Sequence, residues 1–475
     1  DMTMEEIVAA LPTHADTPEE YERRKALMLA ALAEDRQHRR CYFSEKRIGR
    51  CAGLPPAEFE ETEEFKKSGK APPSQAPRPV ASEEQRAAQD EYKKNLQQQG
   101  QLVPSHSAFG AAVVMVRKPG GKGWRMAFDY RDTNSVLVKQ HYSLKSVRAC
   151  TDILAKSKFF SALDMNSAFW QIPVAKESRK FTAVSFLDGK QEYTTMPMGM
   201  QAASAIFQRN MDILLTGLQP DVAISFIDDV LIFGGDTIDE HMARVVVVLD
   251  RIGGAGFTLR PSKCWIGMPS VEFLGSRVGN GTIVPDDAKM HQLRTAEFPP
   301  TKELLQKWIG LVNWCSDHLP DKAQAMKPLQ ARVDSSKDGH LGPPTAEEIA
   351  AFNTVKDWFC DPNGPVMNLP DFSKPFMLLC DAASTSGMGV VLAQLDDHGR
   401  ERPVAYYSRR WLDAEARWHS LEHECCTLVD AVKRFGHYLF DKFTIITDAE
   451  PLVWLRQMKN PKRKYATWTW ESQSY

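Results

Sequence analysis

The 475-residue chain is too long for one ordinary domain and suits two to four. With 43% hydrophobic and 25% charged residues it can bury a core along most of its length, and its nine scattered cysteines, without a CxxC pair or finger-like Cys/His spacing, exclude a disulfide scaffold and a structural zinc site. The net charge of −2 is unevenly spread: residues 1–65 hold fifteen acidic and nine basic side chains, leaving four excess positive charges downstream, which permits nucleic-acid binding without identifying it.

Helical patterning runs from Met4 to Glu34 and breaks at Pro55 and Pro56. The stretch Ala71 to Pro79 carries four prolines and reads as a linker. A polar helix is expected over Glu83 to Gln99, then an apolar strand at Ala111 to Val116. A turn at Pro119-Gly120-Gly121 and a second strand from Trp124 to Phe128 complete a hairpin. Strands and helices alternate to about residue 285, and a helix with Leu304, Leu305, Trp308, Ile309 and Val312 on one face follows. Ser335 to Pro344 is a second linker candidate. The pattern then restarts, with a helix from Ala346 to Phe359, strands at 376–380, 388–395 and 403–407, a helix at 420–435 and a strand at 443–447. The expected organisation is an acidic segment and linker (1–80), a first catalytic domain (81–285), helical connectors (286–345) and a second catalytic domain (346–475). No apolar run approaches the roughly 20 residues that span a bilayer, and the N-terminus shows no signal-peptide pattern, so an intracellular protein without membrane partners is expected.

Two sets of carboxylates carry the chemistry. Phe226-Ile227-Asp228-Asp229-Val230-Leu231-Ile232 sets adjacent acids between apolar β-branched runs, the pattern of a hairpin tip. Two like charges side by side are costly unless a cation is present. Upstream, the strand from Phe160 to Leu163 ends in Asp164. If the two strands are neighbours, Asp164, Asp228 and Asp229 converge, and three hard oxygen ligands suit Mg²⁺. Two such ions can clamp both oxygens of an in-line phosphoryl displacement. Either motif alone also suits a solvated turn or a helix N-cap. In the second set Asp381 and Asp448 end apolar strands and Glu424 lies early in a helix, again the makings of a two-metal hydrolytic site.

The run Trp124 to Asn134 resembles the fingers signature of retroelement reverse transcriptases. Leu163-Asp164-Met165-Asn166-Ser167-Ala168-Phe169-Trp170-Gln171-Ile172, Met196 to Gln208 and Phe226-Ile227-Asp228-Asp229 resemble the three palm motifs of that family, in order and spacing. Ser262-Lys263-Cys264 and Phe273-Leu274-Gly275 fall where the family has its next motif and its primer grip, and Phe298 to Trp314 resembles the helix after the palm in gypsy-class elements. Residues from about Leu369 to Trp454 resemble the RNase H domain of gypsy-class polyproteins.

The resemblance implies an α+β fold: a right-hand polymerase palm and fingers, a helical connector, then an RNase H-like mixed α/β layer. It implies RNA-directed DNA polymerisation, with RNase H removing RNA from RNA–DNA hybrids. Asp164, Asp228 and Asp229 would hold two Mg²⁺, replaceable by Mn²⁺, as would Asp381, Glu424 and Asp448, with Glu422 the alternative to Glu424. Arg125 would pair with the triphosphate, helped by Lys118 or Lys122; Phe169 would be the steric gate against a ribose 2′-OH; Pro197, Met198 and Gly199 would line the nucleotide pocket. Lys263 would protonate pyrophosphate or be a solvated lysine, and Lys302 and Lys307 would touch the duplex backbone. Partners would be RNA template, DNA primer, RNA–DNA hybrid, deoxynucleoside triphosphates and the protease and integrase domains of a polyprotein. Virus-like particles would be the setting of an active element. The chain starts without methionine and ends at Tyr475, before the segment where the family places a fourth carboxylate, so an internal piece of Pol with a truncated RNase H-like domain is expected. The rival expectation is a decayed or domesticated relic that binds nucleic acid or props up a partner.

Overall fold

The structure, a computed structural model, describes residues 2–12, 17–33, 42–80, 82–118, 123–335, 341–361, 366–383, 386–439 and 442–447. They pack as two units, Asp1–Cys150 with Ser157–Phe273, and Thr151–Lys156 with Leu274–Tyr475.

The first unit opens with helices α1 (Met4–Ala10) and α2 (Pro18–Ala33), where the helical patterning placed them. Thr3 and Glu6 cap α1 reciprocally. Ile7, Val8, Met28 and Leu32 are buried in the unit's main core, and Arg24 donates to the Ile266 carbonyl at 2.9 Å. The segment expected to stand apart as residues 1–80 is therefore part of this unit. After α3 (Glu63–Ser68), its proline-rich stretch runs extended but is pinned, Gln75 N–H donating to the Gly110 carbonyl at 2.7 Å. Prolines fix an extended path without deciding whether that path packs.

Helix α4 (Glu83–Gln98) precedes a five-stranded sheet ordered β1-β6-β5-β2-β3. Its strands are β1 (Leu102–Pro104), β2 (Ala111–Arg117), β3 (Trp124–Asp129), β5 (Val184–Phe186) and β6 (Gly189–Tyr193). The expected turn at Pro119-Gly120-Gly121, and Lys122, lie outside the described residues, but Arg117 pairs with Trp124 as a hairpin requires. A second sheet, ordered β7-β8-β4-β9, combines β4 (Phe160–Asp164), β7 (Ala223–Phe226), β8 (Asp229–Phe233) and β9 (Trp265–Met268). Short helices α5 (Arg131–Val136) and α6 (Val147–Asp152) lie between β3 and β4. Helix α7 (Ala203–Leu214) buries Ile206, Phe207, Met211 and Leu214, and α8 (Ile238–Gly254) buries Val245, Val248, Leu249 and Ile252, one stripe at helical spacing each. Strand β10 (Ser270–Phe273) ends the unit.

In the second unit β11 (Ser276–Gly279), β12 (Thr282–Pro285) and β13 (Met367–Asn368) pair antiparallel in that order. Helices α9 (Asp287–Thr295), α10 (Lys302–Trp314), α11 (Lys322–Ala325), α12 (Lys327–Ser335) and α13 (Ala346–Cys360) follow β12. Leu305, Trp308, Ile309 and Val312 of α10 are buried as expected, but Leu304 is 45% exposed, one residue off the i, i+3, i+4, i+7 stripe. Helix α13, expected to open the second catalytic domain, instead shares the connector core: Phe352, Val355 and Phe359 cluster with Met290, Leu293 and Trp308. The last sheet, ordered β16-β15-β14-β17, has its own core. Strand β14 (Met377–Ala383) pairs antiparallel with β15 (Gly387–Leu395), which pairs with β16 (Glu401–Arg410), and parallel with β17 (Thr444–Ile446). Helix α14 (Ser420–Phe435) lays Val432 and Phe435 against Leu378, Cys380, Val390 and Leu392. This layer has four strands among the described residues.

Candidate active sites

The first carboxylate set is assembled by strand register. β4 and β8 pair antiparallel with Asp164 directly opposite Asp229, so the two side chains leave the same face of the sheet. β7 and β8 are joined by the two-residue turn Ile227-Asp228, Phe226 facing Asp229 across its base. The turn puts Ile227 at φ +56°, a region that β-branched residues avoid. Asp228 and Asp229 stay accessible to water at the tip, yet the protein around them makes charging costly. Burial raises the Asp229 carboxyl to about 6, with the charges of Asp228 and Asp164 adding to it. Asp228 is raised by burial and then by Asp164. Lys263 works against both rises, and its Nζ lies 3.2 Å from Asp164 Oδ2. Its side chain is still 55% exposed, so it stays the solvated lysine of one sequence reading while reaching the edge of the cluster.

Three carboxylates that repel one another around a lysine fit a divalent cation by their chemistry. Among the described residues no three His, Cys, Asp or Glu side chains form a ready-made metal cage. Mg²⁺ sites are commonly completed by water and substrate phosphates.

The residues expected to bind nucleotide make contacts of different kinds. The Arg125 guanidinium on β3 contacts Met198 Sδ at 2.7 Å, bringing β3 and the 197–199 segment together. Gly199 has φ +100°, and a Cβ there would lie 3.3 Å from the Phe128 carbonyl oxygen. Pro197 is buried. Phe169, in a 3-10 turn after β4, packs edge-on against Phe207 of α7 with centroids 5.5 Å apart. Lys118 instead sits over the Tyr92 ring of α4. Phe273 is buried at the end of the first unit, while Leu274 and Gly275, at φ +49° and +75°, open the second. In α10, Lys307 pairs with Glu303 at 2.8 Å; Lys302 begins the same helix.

In the first unit three residues escaped sequence reasoning. Asn134 of α5 donates to the Gly199 carbonyl at 2.9 Å and accepts from Gln201 N–H at 3.0 Å, fastening the 199–201 loop. It lay inside a noted motif, but no sequence signal reveals its partners. Asp129 takes charge-assisted bonds from Arg131 and Arg78, and the Arg131 hydrogen bond foremost holds its carboxyl down near 2. Gln208 of α7 accepts the Ile227 N–H at 2.7 Å.

In the second set Asp381 lies exposed on β14, opposite Gly389 of β15, and Glu424 is buried on α14. Glu422 caps the same helix, accepting from His419 N–H at 3.1 Å, which separates the two glutamates offered by the sequence. Glu424 faces the sheet: after burial, its charge is what raises the Cys380 thiol to about 12. Asp448 lies outside the described residues. Asp381 opens onto a groove of about 520 Å³ that also includes Asp321, Leu379, Gly389 and Tyr407. Asp321, unflagged in the sequence, approaches so closely that a Cβ on Gly389 would lie 3.0 Å from its Oδ1.

Comparison with known proteins agrees with this partition. A family model described as reverse transcriptase (RNA-dependent DNA polymerase) matches residues 116–278, and one described as an RNase H-like domain found in reverse transcriptase matches 371–475. The retrovirus-related Pol polyprotein from transposon opus of Drosophila melanogaster is 31% identical over 395 residues, covering 80% of this chain and 39% of that protein. The Pol polyprotein from transposon gypsy of the same organism is 27% identical over 391 residues, covering 79% and 37%. The chain thus spans less than two-fifths of these relatives. A foamy viral protease-reverse transcriptase, solved in complex with double-stranded DNA, superimposes with a TM-score of 0.82 at 20% identity over 98% of this chain and 93% of that one. That likeness establishes the mixed α/β fold. Among the described residues no helix is long and apolar enough to cross a membrane.

Proposed function

The chain belongs to the gypsy-like retrotransposon Pol polyproteins, and from that premise we propose that it is an RNA-directed DNA polymerase whose C-terminal domain degrades RNA in RNA–DNA hybrids. One observation carries the reading: Asp164 and Asp229 face each other in register, with Asp228 on the adjoining strained turn. In the reaction the primer 3′-hydroxyl oxygen bonds to the α-phosphorus of a deoxynucleoside triphosphate. The bond to the bridging oxygen breaks, pyrophosphate leaves and the hydroxyl proton passes to solvent. Asp164, Asp228 and Asp229 would hold two Mg²⁺, with Mn²⁺ as substitute. When bound, the pair supplies positive charge to the attacking and leaving oxygens.

The remaining work belongs to the chain's own side chains. Arg125 offers a planar fork to the triphosphate oxygens. Met198 and Gly199 border the same space, and Phe169 fills the volume a 2′-hydroxyl would need. Lys263, beside Asp164, can hold charge or a proton near the departing pyrophosphate. In the second domain Asp381 and Glu424, with Asp448, would bind the metals of a hydrolytic site. Template RNA, primer DNA and hybrid duplex would be the partners, with protease and integrase domains joined in a polyprotein. The relic reading is not favoured over this one.

The test is primer extension on poly(rA)/oligo(dT) with Mg²⁺ or Mn²⁺, comparing the chain with Asp228→Asn. Metal-dependent extension that falls by orders of magnitude in the variant is expected. A folded chain that binds duplex but extends nothing would return the relic reading.

A further inference from the structure

The catalytic turn is held from behind. Ile227 occupies the left-handed region at φ +56°, where glycine is at ease and a β-branched residue is strained. Unsupported, such a turn relaxes, and Asp228 is the other residue of its two-residue loop. The support is Gln208, 1% exposed on α7, whose Oε1 accepts the Ile227 N–H at 2.7 Å.

The opposite end of that amide is fixed as firmly. Gln208 Nε2 donates to Asp212 Oδ1 at 3.0 Å, one helical turn on, and lies 3.3 Å from the Ser225 carbonyl of β7. A carboxylate only accepts, so the NH₂ must face Asp212 and the carbonyl must face Ile227. Asp212 is itself anchored by Lys145 Nζ at 2.7 Å, Tyr142 OH at 2.8 Å and Gln219 Nε2 at 3.2 Å. Burial works to raise the Asp212 carboxyl, but these donors and the lysine charge outweigh it and keep it below the usual range, so it stays an acceptor. A chain of bonds thus runs from Lys145 and Tyr142 through Asp212 and Gln208 to the backbone of the catalytic turn.

We propose that Gln208 is a positioning residue for polymerisation, holding the strained Ile227-Asp228 turn in the conformation that sets Asp228 beside Asp164 and Asp229, with Asp212 as the anchor that orients its amide. This rests on the polymerase reading above. It makes the role of Gln208 conditional on strain at residue 227, which a packing role would not be.

The experiment compares the full chain with Gln208→Leu, Asp212→Asn and Ile227→Gly, and with each of the first two combined with Ile227→Gly. It measures kcat and KM for the nucleotide, duplex affinity, thermal midpoint and hydrogen exchange at the residue 227 amide. Gln208→Leu is expected to lower kcat on the order of tenfold with duplex affinity unchanged. In the Ile227→Gly background the same change should cost less than about threefold, because glycine takes the turn without strain. An equal cost in both backgrounds, or none in either, overturns the proposal. Should Gln208→Leu fail to fold, Asp212→Asn decides. It keeps the side-chain shape but frees the amide to turn, so a smaller fall in kcat, suppressed by Ile227→Gly, is expected, and an unchanged kcat overturns the proposal. Exchange reads the bond without catalysis: the amide should be protected in the natural chain and lose protection in Gln208→Leu. A fast-exchanging amide in the natural chain counts against the proposal. An inactive chain with a protected amide sinks the polymerase reading alone.

Discussion

At the residue scale, the Asp228-Asp229 pair is a charge conflict of the kind that the proposed divalent cation would resolve. The Asp229 carboxyl, raised to about 6 by burial and its two acidic neighbours, ionises less readily in the folded chain than in the unfolded one. A raised carboxyl favours the folded state while protonated, and that contribution disappears as pH climbs through about 6. In metal-free protein Asp229→Asn should therefore raise the thermal midpoint at about pH 7.5, and do so less at about pH 4.5, where the natural residue is already mostly protonated. Mg²⁺ should stabilise the natural chain at the higher pH and do less for the variant. Calorimetry with and without metal checks both; a variant equally stabilised at the two pH values refutes the linkage. Phe169 answers a different question. Its ring is braced edge-on by Phe207 and cannot easily swing aside. Phe169→Val should leave deoxynucleotide addition largely intact while raising ribonucleotide incorporation on the order of tenfold or more, read from extension with each nucleotide alone. Unchanged sugar selectivity would remove Phe169 from the pocket's role.

At the element scale the loop 197–201 is a strip of irregular backbone that something must hold. Its glycine sits at φ +100°, and Asn134 grips both sides of it, one bond at Gly199 and one at Gln201. Asn134→Ala leaves the carboxylates untouched but frees the loop that carries Met198 beside Arg125. The expected outcome is a several-fold rise in nucleotide KM with kcat nearly unchanged, since binding is lost and not charge stabilisation. A fall in kcat alone would mean that the loop acts on the carboxylates. Elements with one amphipathic stripe were readable from sequence: α14 begins and ends at the expected residues because His419 and Glu422 cap it and Val432 and Phe435 mark its buried face. Metal-ligand candidates were readable because acids interrupt apolar runs, although Asp381, expected to end its strand, lies inside β14, which continues to Ala383. The clamps were not. Asn134 to Gly199 and Gln208 to Ile227 are bonds between a side chain and a distant backbone group, and the backbone group leaves no mark in the sequence. Nor is the left-handed turn at Ile227 legible, since its residue type argues against it.

At the scale of the whole molecule, composition misled where packing decides. Proline and acidic content marked residues 1–80 as separate, yet Ile7, Met28 and Leu32 lie in the first unit's core. Helix α13 looked like a fresh start after a linker, yet its phenylalanines close the connector core with Trp308. A linker signal reports local chain geometry; membership of a core depends on partners far along the sequence. The sequence sets the two groups of carboxylates far apart along the chain; the sheet of Asp164 and Asp229 and the sheet of Asp381 fall in separate units with separate cores. Sites that share no side chains should respond independently to single substitutions. On one labelled RNA template with a DNA primer, Asp381→Asn should abolish template cleavage while extension stays within about twofold, and Asp228→Asn should do the reverse. Because both products are read from the same reaction, loss of folding in either variant would show as loss of both. Extension that falls with Asp381→Asn would mean that the second unit acts on the first site. Cleavage absent from the natural chain, with extension intact, would leave the Asp381 groove without its hydrolytic role and the first constellation as the chain's only active centre.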